Sequence, residues 1–373
     1  MATTMDVTDV EAVVRSDAAL LEDDLAEFLD ALTAPARTAG VSVYDTALRR
    51  ALYEPVADAL GSKVGQQALP PTAGAPGGRA PLRPSMVYWA YRNYRGFPEE
   101  PESTADLAVI RRTAVAVRIL LKAAVALDDI QDGSGVRYGE PALHATHGTS
   151  LALNTGAWLI MSALRHAADP AVVDSLVRSV GSGFTGQAVD MSSRTALTRA
   201  ELLAAPRATR VDFWASTAAL KTGTLFWMPL DAAAAGLRVV EDDRLALDGA
   251  MRQLGLASQL FNDLTDFVPE FGGANTHEDF DGLGNRVFLE LLDDVPSGSP
   301  REDFKPYVLG HPKLEGTLLA LAEEAVALKR AAKDAVHGVC RSERSAAYFD
   351  VTIERKGHLI DRLLATVRQR SGV

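Results

Sequence analysis

"TAVAVRILLKAAVALDDIQD", residues 113 to 132, runs through a long, nearly uncharged apolar stretch and then delivers three aspartates at its end. Apolar residues at this density predict a buried helix of about four turns before the acidic group. On a helix, residues four apart share a face, so Asp128 and Asp132 point the same way and Asp129 lies about 100° round. Three carboxylates within ~6 Å of one another repel unless cations sit among them. A solvated helix end would also tolerate such a string, but a run this apolar is a poor surface helix. Oxygen donors with no His or Cys among them suit Mg²⁺, which keeps waters and bridges protein carboxylates to a phosphate.

The rest of the chain reads as helix. Apolar residues recur at three- and four-residue spacing in "DAALLEDDLAEFLDAL", "DTALRRALYEPVADAL", "DPAVVDSLVRSV", "LEGTLLALAEEAVALKRAAKDAV" and "RKGHLIDRLLATV", and alternating patterns are nearly absent. The expectation is an all-α protein forming one domain over residues 1–373, with N-terminal helices over 8–62. Breakers separate the helices at 69–84, 96–104, 267–284 and 293–306. The Pro/Gly/Ala-rich stretch 69–80 is expected to be a loop.

Of 373 residues, 47% are hydrophobic, enough for a large core, and the net charge of −11 argues against nucleic acid or anionic membrane as the main partner. No basic and apolar leader opens the chain, and Arg118 and Lys122 interrupt the best candidate membrane span, so the expectation is a cytoplasmic protein without stable membrane insertion. The single cysteine, Cys340, excludes an internal disulfide and is read as an ordinary buried thiol. His144 and His147, three apart with no third ligand near, are read as structural.

A second acidic stretch, "QLFNDLTDF" at 259–267, repeats the design of the first with Asn262, Asp263 and Asp266. Continuing in four-residue steps gives Asn262, Asp266 and Glu270, although Pro269 threatens the helix before the last of them.

These stretches, taken with others in the same order, resemble the trans-isoprenyl diphosphate synthases, the polyprenyl synthetase family of class I isoprenoid enzymes. "GGRAPLRP" is similar to the GGKRLRP motif, "DDIQDGSGVRYGEPALH" to the first aspartate-rich motif with its RRG, "FTGQAVD" to GQxxD, "KTGTLF" to the KT motif, and "QLFNDLTD" stands at the second aspartate-rich motif. The resemblance implies an antiparallel helical bundle with a deep central cavity, a homodimer, three Mg²⁺ ions and chemistry that begins by ionising an allylic diphosphate. It implies metal ligation by Asp128, Asp129, Asp132, Asn262, Asp263, Asp266 and Glu270, and diphosphate binding by Arg137, Lys221, Arg83 and Arg286. It further implies that Gln187 and Asp190 lie near the diphosphate end of the cavity and that Thr222 and Gln259 line it, with Phe184, Phe226, Trp227 and Phe261 as candidate lining rings.

The chain departs from the family's pattern where an elongating enzyme binds its second substrate, isopentenyl diphosphate. The lysine of the first motif falls at Arg79 or Ala80, the second arginine of RRG is Tyr138, and the His or Gln two turns before Asp128 is Leu121. Losing one hydrogen-bond partner of a buried anion costs roughly 1.5–3 kcal/mol, so two or three losses weaken binding at least about a hundredfold. The GK(R/K)T segment is replaced around Asn285 and Arg286, and Asn262 with Asp266 and Glu270 resembles the Asn, Ser or Thr, Glu triad of class I terpene cyclases. Ala123 and Ala124 occupy the family's chain-length floor, where bulky rings would shorten the cavity, so a C20 or longer prenyl diphosphate is expected. Three readings stay open: a terpene synthase, favoured by these departures; a chain-elongating prenyltransferase; and a non-catalytic subunit of a heteromeric synthase, which the intact DDIQD, Arg137 and Lys221 oppose.

Overall fold

The structure, a computed structural model, describes residues 7–38, 42–61, 68–69, 78–79, 81–98, 104–137, 139–271, 283–292 and 304–371. Most of the loop expected over 69–80, together with Ala80 and Tyr138, lies outside the described residues.

The chain runs through α1 (Val7–Thr38), α2 (Val43–Leu48), a π-helical segment (Arg49–Tyr53) and α3 (Glu54–Gly61). The two-residue strands β1 (Ala68–Leu69) and β2 (Gly78–Arg79) pair antiparallel ahead of α4 (Leu82–Tyr94) and α5 (Ala105–Gln131). A second tiny hairpin, β3 (Val136–Arg137) with β4 (Glu140–Pro141), leads to α6 (Leu143–His147), α7 (Thr149–Ala167), α8 (Pro170–Ser192), α9 (Ala196–Ala204) and α10 (Arg207–Ala218). A π-helical segment (Ala219–Gly223) joins α10 to α11 (Thr224–Leu237), followed by α12 (Glu241–Thr265), a 3-10 turn (Pro269–Phe271), α13 (Arg286–Leu291), α14 (Phe304–Leu309), α15 (Leu314–Val339) and α16 (Glu343–Ser371). The all-α expectation holds.

The residues group into two compact units, each drawn from three stretches of chain. The first takes Met1–Arg178, Met228–Leu245 and His337–Arg355; the second takes Ser179–Trp227, Ala246–Val336 and Lys356–Val373. In the first unit α4 is buried on every side, from Pro84 through Asn93, as a helix without a polar face must be. Two of its polar side chains are met internally: Trp89 Nε1 donates to the Ser345 carbonyl at 2.8 Å, and Arg92 pairs with Asp17 at 2.6 Å, which also accepts from Tyr348 Oη at 3.0 Å. Breaking a buried pair of this kind leaves one charge uncompensated and costs about 3–5 kcal/mol. In the second unit Trp214, Leu260, Leu264, Phe288, Leu318 and Leu363 belong to one apolar core.

Candidate active site

α5 begins at Thr104, whose side chain accepts from the Leu107 N–H at 3.1 Å, and carries its apolar run to Gln131. Asp132 caps the end, its N–H donating to the Asp128 carbonyl at 2.8 Å, and Gly133 turns the chain with φ +71°. That left-handed conformation is open to glycine at little cost. The β3–β4 hairpin, with Arg137 opposite Glu140 and Gly139 at φ +80° in its turn, brings Arg137 back over the acidic end of α5. Its guanidinium donates through Nη2 to Asp128 at 2.5 Å and through Nε to Asp129. Burial opposes the Arg137 charge, and the two carboxylates overcome it, holding its pKa above the ordinary arginine value. Asp129 is 1% exposed, whereas Asp128 and Asp132 are half-buried.

On the same helix Leu121 and Ala124 are half-buried and Ala123 is buried. α7 comes so close beneath that a Cβ at Gly156 would lie 2.8 Å from the Leu127 side chain. Beside Asp129 a cavity of about 370 Å³ opens, lined in part by Lys122, Val125, Glu140 and Leu143. Lys122, read from the sequence only as an interruption of the apolar run, is buried in its wall. Arg83 is half-buried in the first turn of α4.

In the second unit the π-helical segment carries Lys221 and Thr222. Lys221 Nζ donates to Asp190 at 2.7 Å, and Thr222 Oγ1 donates to Gln259 Oε1 at 2.5 Å. Glycines let the backbones meet there: a Cβ on Gly186 would stand 2.5 Å from the Lys221 nitrogen, and one on Gly255 would stand 2.4 Å from the Gly223 Cα. Gln187 and Phe226 are buried, Phe184 is 47% exposed on α8, Trp227 stacks under Arg252 at 5.5 Å, and Phe261 meets Phe271 edge-on at 5.9 Å.

The second acidic stretch departs from a continuous helical ladder. α12 ends at Thr265, so Asn262 is helical, Asp266 lies just past the end and Glu270 sits in a separate 3-10 turn, exposed, 3.5 Å from Arg370. Two causes act together. Pro269 disfavours helical backbone at the residue before it, and Asn285 Nδ2 donates to the Asp263 carbonyl at 3.1 Å, supplying a partner from outside the helix. Arg286 is committed internally: its Nη2 lies 2.6 Å from Glu290, and its guanidinium stacks over Trp214 at 5.3 Å. Sequence reading missed Trp214 and Glu290. Trp214 lies seven residues, two turns, before Lys221, and that spacing was the available signal. Cys340 is half-buried, with its thiol pushed up to about 12 by burial and by Asp350.

Among the described residues no three acidic, His or Cys side chains converge into a ready metal cage. Mg²⁺ does not require one, since it is commonly held by one or two carboxylates together with waters and substrate phosphate. The half-buried, oxygen-only pair Asp128 and Asp132 fits that manner of binding.

Residues 71–280, more than half of the chain, match the sequence model of the polyprenyl synthetase family. The chain belongs to the polyprenyl synthetase family. Its relatives include fusoxypene synthase of Fusarium oxysporum, 28% identical over 262 residues, which is 66% of this chain and 32% of that protein. Geranylgeranyl pyrophosphate synthase 2 of Zymoseptoria tritici is 35% identical over 91 residues, 24% of this chain and 26% of that one. The chain thus matches about a third or less of the length of these relatives. Among solved structures, the polyprenyl synthase of Caulobacter crescentus, complexed with calcium and isoprenyl diphosphate, aligns with a TM-score of 0.66 at 20% identity, covering 96% of this chain and 99% of that one. The geranylgeranyl pyrophosphate synthetase of Pyrococcus horikoshii aligns with a TM-score of 0.65 at 17% identity, covering 96% and 98%. The fold of this polyprenyl synthetase family member is therefore the all-α fold of those enzymes. Among its described residues no helix is long and apolar enough to cross a membrane.

Proposed function

We infer that the chain is a magnesium-dependent class I terpene synthase built on the prenyl synthase fold, which ionises a preformed prenyl diphosphate of C20 or longer and cyclises the carbocation or quenches it with water. The observation that carries this reading is an asymmetry among cations. The groups that would meet a departing diphosphate are kept, with Arg137 beside Asp128 and Lys221 beside Asp190. At two positions that would help to hold an acceptor diphosphate they are not: Leu121 and Tyr138 stand where the family has polar or basic residues. The similarity to fusoxypene synthase over two thirds of the chain supports it.

Asp128, Asp132, Asn262 and Asp266 are the side chains that would hold the magnesium, with Glu270 at the exposed margin. The metal supplies positive charge that makes diphosphate a better leaving group. Arg137 and Lys221 would exchange their carboxylate partners for diphosphate oxygens and stabilise the charge that develops there. Ala123 and Ala124, small side chains at the expected floor, would leave depth for a long prenyl tail, and the apolar run of α5 would disfavour water near the cation. The same reading includes a homodimer: α7 leaves Leu153, Ala157 and Met161 exposed at four-residue spacing along one face.

A second reading, elongation with isopentenyl diphosphate, is favoured by the similarity to geranylgeranyl pyrophosphate synthase 2. One incubation separates the two. Purified protein with Mg²⁺ and geranylgeranyl diphosphate should yield a hydrocarbon or alcohol without isopentenyl diphosphate. A longer diphosphate, formed only when both substrates are present, would replace the terpene synthase reading with the elongating one.

A further inference from the structure

Of the two aspartates in the second acidic stretch, Asp263 is 1% exposed while Asp266 is half-buried, and the neighbouring Asn262 is exposed. A carboxylate taken out of water costs several kcal/mol unless donors meet it. Asp263 meets three. Its Oδ2 accepts from Trp214 Nε1 at 2.8 Å and from the Arg286 backbone N–H at 2.9 Å, and its Oδ1 accepts from Gln259 Nε2 at 2.7 Å. The surroundings are tied in as well. Gln259 accepts from Thr222 Oγ1 at 2.5 Å, and Asn285 Nδ2 donates both to the Asp263 carbonyl at 3.1 Å and to Asp266 Oδ2 at 3.2 Å. One carboxylate thereby joins α10, the π-helical segment, the C-terminal end of α12 and the start of α13.

For Asp263 to coordinate a metal, the ion would have to approach a 1% exposed carboxylate whose oxygens already accept three hydrogen bonds. We propose that Asp263 is a positioning residue and not a metal ligand: it fixes the end of α12 between Asn262 and Asp266 and, through Gln259 and Thr222, holds the segment that carries Lys221. Asp129 in the first stretch shows the same division of labour, buried against Arg137 between the half-buried Asp128 and Asp132. The proposal rests on the reading of Asn262 and Asp266 as metal ligands.

The test uses the full chain as Asp263→Asn, Trp214→Phe and the double variant. With four tryptophans in the sequence, the indole N–H region of a ¹H–¹⁵N spectrum gives the Trp214 signal as the one lost in Trp214→Phe. That signal should move in Asp263→Asn before any metal is added. Calorimetry with Mn²⁺ and inorganic pyrophosphate should then give the wild-type number of ions in every variant, with affinity lowered about tenfold and no further in the double variant than in either single one. If Asp263→Asn loses one bound ion while Trp214→Phe binds as the wild type does, Asp263 is a ligand and the proposal is overturned. A stationary indole signal overturns it too. If the wild type binds no Mn²⁺ with pyrophosphate, the proposed function falls and this proposal with it, whereas a failure confined to the variants leaves the proposed function standing. Should Asp263→Asn not fold, Gln259→Leu compared with Trp214→Phe asks the same question from the other carboxylate oxygen: both should weaken Mn²⁺ binding at unchanged ion number, and wild-type affinity in both overturns the proposal.

Discussion

Asp128 and Asp132 stand four residues apart at the end of α5, partly open to solvent, while Asp129 between them is buried against Arg137. This arrangement separates three chemically identical side chains by what each can reach. Asp128→Ala or Asp132→Ala should lower turnover by about two to three orders of magnitude, the scale seen when a group that stabilises developing charge is removed. Circular dichroism should stay as helical as the wild type, because neither side chain fills the core. Activity within a few fold of wild type in either variant would remove Asp128 and Asp132 from the metal site.

At the scale of the elements, the π-helical segment Ala219–Gly223 depends on glycines that leave no room for a methyl group. Gly255→Ala would press a Cβ against the backbone of Gly223 and should destabilise the protein by about 1–3 kcal/mol. Gly249→Ala, on the same helix but with open space around it, should be neutral or stabilise by up to about 1 kcal/mol. Thermal melts of the two variants make the comparison, and equal melting temperatures would show that the approach at 255 has slack. How far the elements were legible follows from what each one buries. α5 announced itself, since an apolar run that ends in DDxxD has few other uses. α4 did not, because a helix buried on all sides has no polar face to set a period, and "MVYWAYRNY" carries aromatics that suit strand and helix alike. The π-helical segments were invisible, being produced by packing and not by local preference. For the expected ladder Asn262, Asp266, Glu270, the sequence showed the threat of Pro269 but not that the helix stops earlier, at Thr265, where Asn285, from a distant point in the sequence, takes the Asp263 carbonyl.

At the scale of the whole molecule, the prediction concerns assembly. Leu153 and Met161, 53% and 67% exposed, lie with Ala157 along one face of α7 and are the kind of surface that a second copy would cover. Leu153→Lys with Met161→Lys should convert a dimer into a monomer in light scattering at micromolar concentration, with the helical content kept. A wild type that is already monomeric under those conditions would refute the dimer, and a double variant that stays dimeric would place the contact elsewhere.

Because each compact unit is gathered from three separate stretches of chain, no single cut releases either of them whole. A chimera made with one crossover to a relative inherits, in at least one unit, cores from two parents that were never selected to fit each other. Exchange of product specificity between members of this family is therefore better sought through sets of point substitutions, or through matched crossovers at all five boundaries between the units, than by swapping halves of the gene.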